Sequence, residues 1–270
     1  MAPEPGRPAV RLASGVEMPV LGLGVWQMAQ GRETEQAIEW AFEAGYRHID
    51  TATMYRNEES VGAAIRRSGL PREEVFVTTK LMPRGLAAAR ELERSLRRLG
   101  LDQVDLYLIH WPLPTGNTRL WHALESLRDR GLAREIGVSN FGRRRLASLL
   151  PRAAHRPAVN QVQLNPFRYR RGLLDYCREQ GIALEAYSPL ARGEGLDEPA
   201  IAAVAERLDR TPAQVVLRWA VQRGALVIPK SSNRERIREN AQIFDFELGE
   251  DDLRALDALD RTGGTDRARG

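Results

Sequence analysis

Four residues, Asp50, Tyr55, Lys80 and His110, carry side chains that together can move a proton to a carbonyl oxygen. A free phenol, with a pKa near ~10, is a weak acid at neutral pH. An ammonium beside it favours the phenolate and is expected to lower that pKa, while a carboxylate holds the ammonium charged and in place. A neutral imidazole can orient the substrate oxygen by donating one hydrogen bond. In this reading Tyr55 is the acid, Lys80 its tuner, Asp50 the anchor and His110 the orienter. Composition singles out Lys80 as well. Of 40 basic residues only two, Lys80 and Lys230, are lysine. Arginine's broad fork fits a tight tyrosine–carboxylate site poorly, which accounts for a lysine there. Three of the four have an ordinary role too: a cap for Asp50, amphipathic packing for Tyr55, a satisfied buried ring for His110. A different chemistry is also open, a lyase in which Lys80 forms a Schiff base.

Side chains so far apart in sequence act together only if the fold brings them to one place. Short apolar runs begin near Val20, Tyr46, Val75, Asp105, Glu135, Val159, Ile182 and Ala225, at intervals of 26, 29, 30, 30, 24, 23 and 43 residues. A strand with its crossover helix takes about 30 residues, so each interval holds one βα unit and the last has room for a further helix. The runs are continuously apolar, as in Leu106-Tyr107-Leu108-Ile109, which suits parallel strands buried on both faces. Between them lie helical patterns. Asn57 stands as an N-cap ahead of Glu58 and Glu59, with Gly69 ending that helix. Leu92, Leu96 and Leu99 line a second helix that stops at Gly100; Leu120, Leu124 and Leu127 line a third that stops at Gly131. Thr211-Pro212 opens another. Ahead of the first unit, Val10-Arg11-Leu12 and Val16-Glu17-Met18 flank Ala13-Ser14-Gly15 and read as a β-hairpin plugging the bottom of a closed sheet. Eight units without a linker predict one α/β domain over 1–270, a (β/α)8 TIM barrel with extra helices and a frayed tail over about 261–270. An open doubly wound sheet is the competing architecture. In a barrel, sites lie at the C-terminal ends of strands. Asp50, Lys80 and His110 end three consecutive strands, and Tyr55 follows in the loop above.

Composition narrows the classes. With 43% hydrophobic and 28% charged residues the chain is globular, with ample material for a core. No apolar run approaches the ~18 residues that span a bilayer. Met1 to Val10 carries three prolines and no apolar stretch, so no secretory signal is expected. The single cysteine, Cys177, allows no internal disulfide and no Cys-rich metal site, which points to a cytoplasmic protein without metal. A net charge of +4 is mild for 270 residues, and the runs Arg143-Arg144-Arg145 and Arg168 to Arg171 are too short for a nucleic-acid stripe. Nothing reads as an obvious interface, so a monomer is expected. Gly22-Leu23-Gly24 supplies two glycines, but Gln27 stands where a dinucleotide fingerprint needs a third. The pair is expected to allow close packing near a cofactor.

Several motifs in register resemble the aldo-keto reductase family. They are Asp50-Thr51-Ala52 with Tyr55, Thr78-Thr79-Lys80, Asp105 to Pro112, Ile136 to Phe141, Asn160-Gln161-Val162-Gln163, Ala186 to Leu190 and Ile228-Pro229-Lys230-Ser231. The match runs from the hairpin to about Asp260. It implies a (β/α)8 barrel that reduces aldehydes and ketones with NADPH, with Asp50, Tyr55, Lys80 and His110 at the four catalytic positions. By the same resemblance Ser139, Asn140 and Gln161 hold the nicotinamide carboxamide, and Tyr187 stacks on its ring. Ser188 and Leu190 contact the pyrophosphate. Lys230, Ser231, Ser232, Asn233 and Arg236 form the adenosine 2′-phosphate pocket, with Glu239 and Asn240 beside the adenine. The residues of that pocket agree with the assignment, because Ser231 and Asn233 sit where a helix begins and Lys230 and Arg236 add two cations. NADH lacks the phosphate, so NADPH is the expected cofactor.

Trp26 and Trp111, with Tyr55 and His110, are the candidate walls for a small carbonyl substrate. Larger family members carry a long C-terminal loop over that pocket. Here the sequence ends about ten residues after Asp260 and the stretch Pro112 to Thr118 is short, so an open pocket is expected. The chain is similar to compact bacterial members, some of which act on keto sugars, dicarbonyls or general aldehydes. A barrel that binds NADPH as a sensor with little turnover is the alternative function.

Overall fold

The structure is a computed structural model and describes residues 8–82 and 88–263. It opens with the antiparallel hairpin β1 (Ala9–Arg11) and β2 (Glu17–Pro19). Eight strands then alternate with helices: β3 (Leu23–Gly24), α1 (Arg32–Glu43), β4 (His48–Asp50), α2 (Glu58–Arg67), β5 (Phe76–Leu81), α3 (Ala88–Leu99), β6 (Val104–Ile109), α4 (Asn117–Asp129), β7 (Ala133–Ser139), α5 (Arg143–Leu149), β8 (Val159–Gln163), α6 (Arg171–Glu179) and β9 (Ala183–Tyr187). The long interval holds two helices, α7 (Pro199–Leu208) and α8 (Pro212–Gln222), before β10 (Ala225–Ile228). The helices α9 (Arg234–Ala241) and α10 (Glu250–Asp257) follow.

Strands β3 to β10 pair in chain order, all parallel. The seam between first and last is also bonded. The Gly22 N–H donates to Val227 O and the Val227 N–H to Val20 O, each at 2.9 Å. That closure makes the sheet a (β/α)8 barrel and excludes the open doubly wound alternative, whose ends would stay apart.

Local sequence explains most elements. All residues of β5 and β6 are buried, so their apolar runs satisfy both faces. Leu92, Leu96 and Leu99 are buried on α3, and Leu120, Leu124 and Leu127 on α4. Gly100 leaves α3 at φ +67°, a conformation open to glycine at no steric cost. Thr211 and Gln214 close a reciprocal cap at the start of α8. Asn57 departs from expectation. It holds the N-cap position of α2, but its side chain does not cap the helix. Instead Nδ2 donates to Val25 O and Met28 O, and Oδ1 accepts from the Thr51 hydroxyl. Buried beside the first strand's loop, the amide meets those groups before it meets its own helix.

The hairpin lies where expected. Leu12 and Met18 pack with Phe76, Leu106, Val159 and Leu226, residues at or near the N-terminal ends of their strands, and so seal the barrel bottom. Past Asp260, the Arg261 N–H donates to Phe167 O and its guanidinium lies 4.7 Å from the Phe167 ring, so the chain is held at that point. The rest of the expected frayed tail, 264–270, falls outside the described residues. Among the described residues no helix is long and apolar enough to cross a membrane.

One packing contact makes a stability prediction. A Cβ on Gly62 of α2 would lie 1.9 Å from the carbonyl oxygen of Leu99, at the end of α3. Backbone cannot yield as a side chain can, so Gly62→Ala is expected to cost about 2–3 kcal/mol. Urea unfolding of the variant at pH 7 measures this, and an unchanged midpoint would show that the helices slide apart freely.

Candidate active site

The mouth of the barrel holds a cavity of about 530 Å³. Asp50 is the last residue of β4, and Tyr55 follows on a 3-10 turn, Thr53–Tyr55. Lys80 sits one residue before the end of β5, and His110 directly follows β6. The four converge. Lys80 Nζ donates to Asp50 Oδ1 at 2.5 Å, to the Thr51 carbonyl at 3.0 Å and to the Tyr55 hydroxyl at 3.2 Å. The Tyr55 and His110 rings meet edge to face with centroids 5.6 Å apart. Tyr55, His110 and Asp50 line the cavity, while Lys80 lies beneath with no exposed surface.

The electrostatics follow from burial. Desolvation works against the Lys80 charge, but Asp50 and Tyr55 outweigh it and push the ammonium up to about 12. Burial raises the Asp50 carboxyl, with Lys80 and Gln161 pulling the other way. Burial, then Lys80, brings His110 down to about 3, so the imidazole is neutral. Tyr55 corrects the sequence expectation. Lys80 does favour its phenolate, but desolvation is larger, and the net shift is upward. The phenol therefore keeps its proton throughout neutral pH, as a proton donor must.

The same contacts overturn the Schiff-base reading. All three Lys80 N–H donors are committed, the ammonium stays charged, and Tyr55 lies between it and the cavity. Such an amine is no nucleophile.

The expected cofactor residues divide into two groups. Ser139, Asn140, Gln161, Tyr187, Ser188 and Lys230 share the cavity wall with Asp50, Tyr55 and His110. Asn140 is tied in: Nδ2 donates to His110 O and Ser139 Oγ, and Oδ1 accepts from the Tyr187 hydroxyl. Gln161 Nε2 donates to Asp50 Oδ2 at 2.8 Å and to Glu185 Oε2 at 2.7 Å. That leaves the Ser139 hydroxyl proton as a donor and Gln161 Oε1 as an acceptor. One donor and one acceptor side by side complement a carboxamide, so these residues fit the nicotinamide.

The second group lies beyond that wall. Leu190 packs partly buried against the core. Ser231, Ser232, Asn233 and Arg236 lead from Lys230 into α9, where Asn233 Oδ1 caps the helix by accepting from the Arg236 N–H. Lys230, Ser232, Asn233 and Arg236 are exposed, and among the described residues no ion pair neutralises Lys230 or Arg236. Two unpaired cations at a helix N-terminus fit a phosphate. Glu239 accepts from the Thr211 hydroxyl, and Asn240 is buried.

Trp26 and Trp111 line the cavity and are not core aromatics. Trp111, 40% exposed, stacks on His110, and Met54, also exposed, lines the cavity with them. The glycine pair divides: Gly24 lines the cavity, whereas Gly22 makes room for His48, whose ring a Cβ would meet at 2.4 Å. Sequence reading missed Arg168, Arg170 and Arg192, which also line the cavity. The Arg192 guanidinium lies 4.9 Å from the Trp26 ring. Their signal was position, because the run Arg168 to Arg171 closely follows β8, at the rim where barrel sites lie.

The sequence profile of the Aldo/keto reductase family matches residues 20–261. The chain belongs to the aldo/keto reductase family. It is similar to a 9,11-endoperoxide prostaglandin H2 reductase of Trypanosoma cruzi, 47% identical over 264 residues covering 94% of this chain and 93% of that protein. It is equally similar to a glyoxal reductase of Bacillus subtilis, 47% identical over 255 residues covering 93% and 92%. Among solved structures, an aldose reductase from Schistosoma japonicum superposes with TM-score 0.89 at 34% identity, covering 94% of this chain and 92% of that one. A Bombyx mori aldo-keto reductase in complex with NADP superposes with TM-score 0.88 at 36% identity, covering 94% and 93%. As a member of the family, the chain is an NADP(H)-dependent oxidoreductase that reduces aldehydes and ketones. The sensor alternative finds no support in these relatives.

Proposed function

We propose that this aldo-keto reductase reduces small aldehydes and dicarbonyls with Tyr55 as the proton donor. The observation that carries the reading is the chain Asp50–Lys80–Tyr55, at 2.5 and 3.2 Å, beside a neutral His110 at the cavity wall. When bound, the reduced nicotinamide supplies the hydride. The substrate oxygen lies between Tyr55 and His110. His110 orients it, and the Tyr55 phenol donates its proton as negative charge builds on the oxygen. Lys80 stabilises the phenolate left behind, and Asp50 keeps Lys80 charged and positioned. Trp26 and Trp111 hold the body of the substrate, and the open mouth suits varied small carbonyls.

Ser139 and Gln161 bind the carboxamide, Tyr187 covers the nicotinamide ring, and Ser188 and Leu190 meet the pyrophosphate. Lys230, Ser231, Ser232, Asn233 and Arg236 take the 2′-phosphate, with Glu239 and Asn240 near the adenine. We further take the chain as one barrel domain acting as a cytoplasmic monomer, its one cysteine, Cys177, being buried in the core. Light scattering on the purified protein tests the last point.

The test of the function is fluorescence titration with NADPH and NADH, followed by aldehyde-dependent loss of reduced-nicotinamide absorbance with a panel including glyoxal. NADPH binding with turnover is expected; binding without turnover would overturn the reductase assignment. In Lys230→Met/Arg236→Met, NADPH affinity is expected to fall about 10²–10⁴-fold while NADH affinity changes less than threefold, because each charged contact to phosphate contributes ~1.5–3 kcal/mol. Equal losses for both cofactors would remove the phosphate pocket from these residues.

A further inference from the structure

Glu185 stands in the middle of β9 as a fully buried carboxyl, between Leu184 and Ala186 in the chain, and the proton-transfer chain makes no use of it. Its Oε2 accepts from Gln161 Nε2 at 2.7 Å. The second proton on that nitrogen goes to Asp50 Oδ2 at 2.8 Å. An amide nitrogen carries two protons, so both are committed to carboxyl groups. A flipped amide would set its carbonyl oxygen against Asp50 Oδ2, part of a carboxylate paired with Lys80 that has no proton to donate. The arrangement admits one orientation, and it leaves Gln161 Oε1 as the atom presented to the cavity.

We propose that Glu185 is a positioning residue which, with Asp50, locks the Gln161 amide so that the cofactor site offers an acceptor, and thereby selects a nicotinamide side group that donates an N–H. This rests on the proposed carboxamide role of Gln161. It extends that role to a residue that never touches the cofactor.

The neighbours of Glu185 fit a neutral acid. His48 Nδ1 lies 3.7 Å from Glu185 Oε1, and neither atom has a hydrogen-bond partner. His48 Nε2 lies 3.0 Å from the Thr78 hydroxyl. With Nε2–H donating to Thr78, Nδ1 is a bare lone pair facing Oε1 at 3.7 Å, too far for a hydrogen bond, and a protonated Glu185 avoids setting a charged oxygen against that lone pair. Burial, then Asp50, raises Glu185 to about 8 against the opposing pull of Gln161 and Lys80, and burial brings His48 down to about 3. Both groups are therefore neutral at pH 7. Glutamine at position 185 would reproduce this state, its oxygen accepting from Gln161 and its neutral NH2 facing His48.

The test compares NADPH with its 3-acetylpyridine analogue, in which a methyl replaces the amide nitrogen, so the acyl oxygen remains and the N–H donor is lost. Binding is read by tryptophan fluorescence quenching. The parent protein is expected to bind NADPH about tenfold more tightly than the analogue, the effect of one hydrogen bond with its acceptor otherwise left unmet. In Glu185→Leu the amide loses one of its two anchors, can turn, and the ratio is expected to narrow to within threefold. Glu185→Gln is expected to keep the parent ratio. A merely structural role would weaken both ligands together, so an unchanged ratio in Glu185→Leu overturns the inference. Loss of the ratio in Glu185→Gln overturns the neutral-acid arrangement. Should Glu185→Leu not fold, Glu185→Asp carries the test, since withdrawing the carboxyl by one methylene breaks the 2.7 Å contact and is expected to narrow the ratio likewise. A parent protein that does not distinguish the two ligands overturns both this inference and the carboxamide role beneath it.

Discussion

Tyr55→Phe is expected to lower kcat for aldehyde reduction by about 10²–10⁴ while NADPH affinity changes less than threefold. The substitution removes one oxygen and keeps the ring that meets His110 edge to face, so packing survives. What disappears is the proton donor that Lys80 supports from below. Without it the developing alkoxide faces a neutral imidazole and water. Because burial raises the Tyr55 phenol and Lys80 only partly offsets this, the donor stays loaded at neutral pH. The parent's rate of reduction is accordingly expected to be flat from pH 6 to 8. Single-turnover measurements over that range, with and without the hydroxyl, check both statements. Undiminished turnover in the variant would take Tyr55 out of the acid role.

Lys80→Met is expected to have the second-largest effect, on stability as well as on rate. The ammonium is fully buried, and its removal leaves the Asp50 carboxylate in a low-dielectric interior with Gln161 as its remaining donor. Breaking a buried ion pair by deleting one partner costs about 3–5 kcal/mol, because the survivor's desolvation is no longer compensated. For a chain of this size that corresponds to a fall in Tm of roughly 10 °C. Asp50→Leu in the same background should recover much of the loss, as it removes the stranded charge. A double-mutant cycle by urea unfolding measures the coupling. If Lys80→Met alone were as stable as the parent, the pair would not be ionised in the folded protein. Activity is expected to stay low in all three variants, since restored stability does not restore support for the phenolate.

Much of the site was legible before any coordinates. Asp50, Lys80 and His110 could be assigned to one rim because each ends an apolar run, and parallel strands of a barrel end on the same side. Leu106 to Ile109 and the leucine stripes of α3 and α4 declared their burial through periodicity alone. Other features were illegible for stated reasons. Asn57 has the residue type of a cap, but Val25, Met28 and Thr51 compete for its amide, and they are neighbours only in three dimensions. Arg168 and Arg170 looked like a surface charge run, yet the turn after β8 directs them to the cavity and buries Arg170 to 2% exposure. Glu185 was visible as a charge inside the run Ala183 to Tyr187, but nothing local says which groups receive it.

The sequence by itself determined the number and order of strands, the helix faces, the cap at Thr211, and which residue types stand at the strand ends. These depend on side-chain periodicity and on chain positions a few residues apart, so a linear reading reaches them. Tertiary structure alone decided the closure of the sheet between Val20–Gly22 and Val227, the burial of Lys80 beneath Tyr55, and the sharing of one amide between Asp50 and Glu185. It also decided the sign of the Tyr55 shift. Desolvation and Coulomb interaction depend on every atom around a group, and those atoms come from elements 25 or more residues apart in this chain. The identity of an acid can be written in its residue type; its protonation state is written in its surroundings.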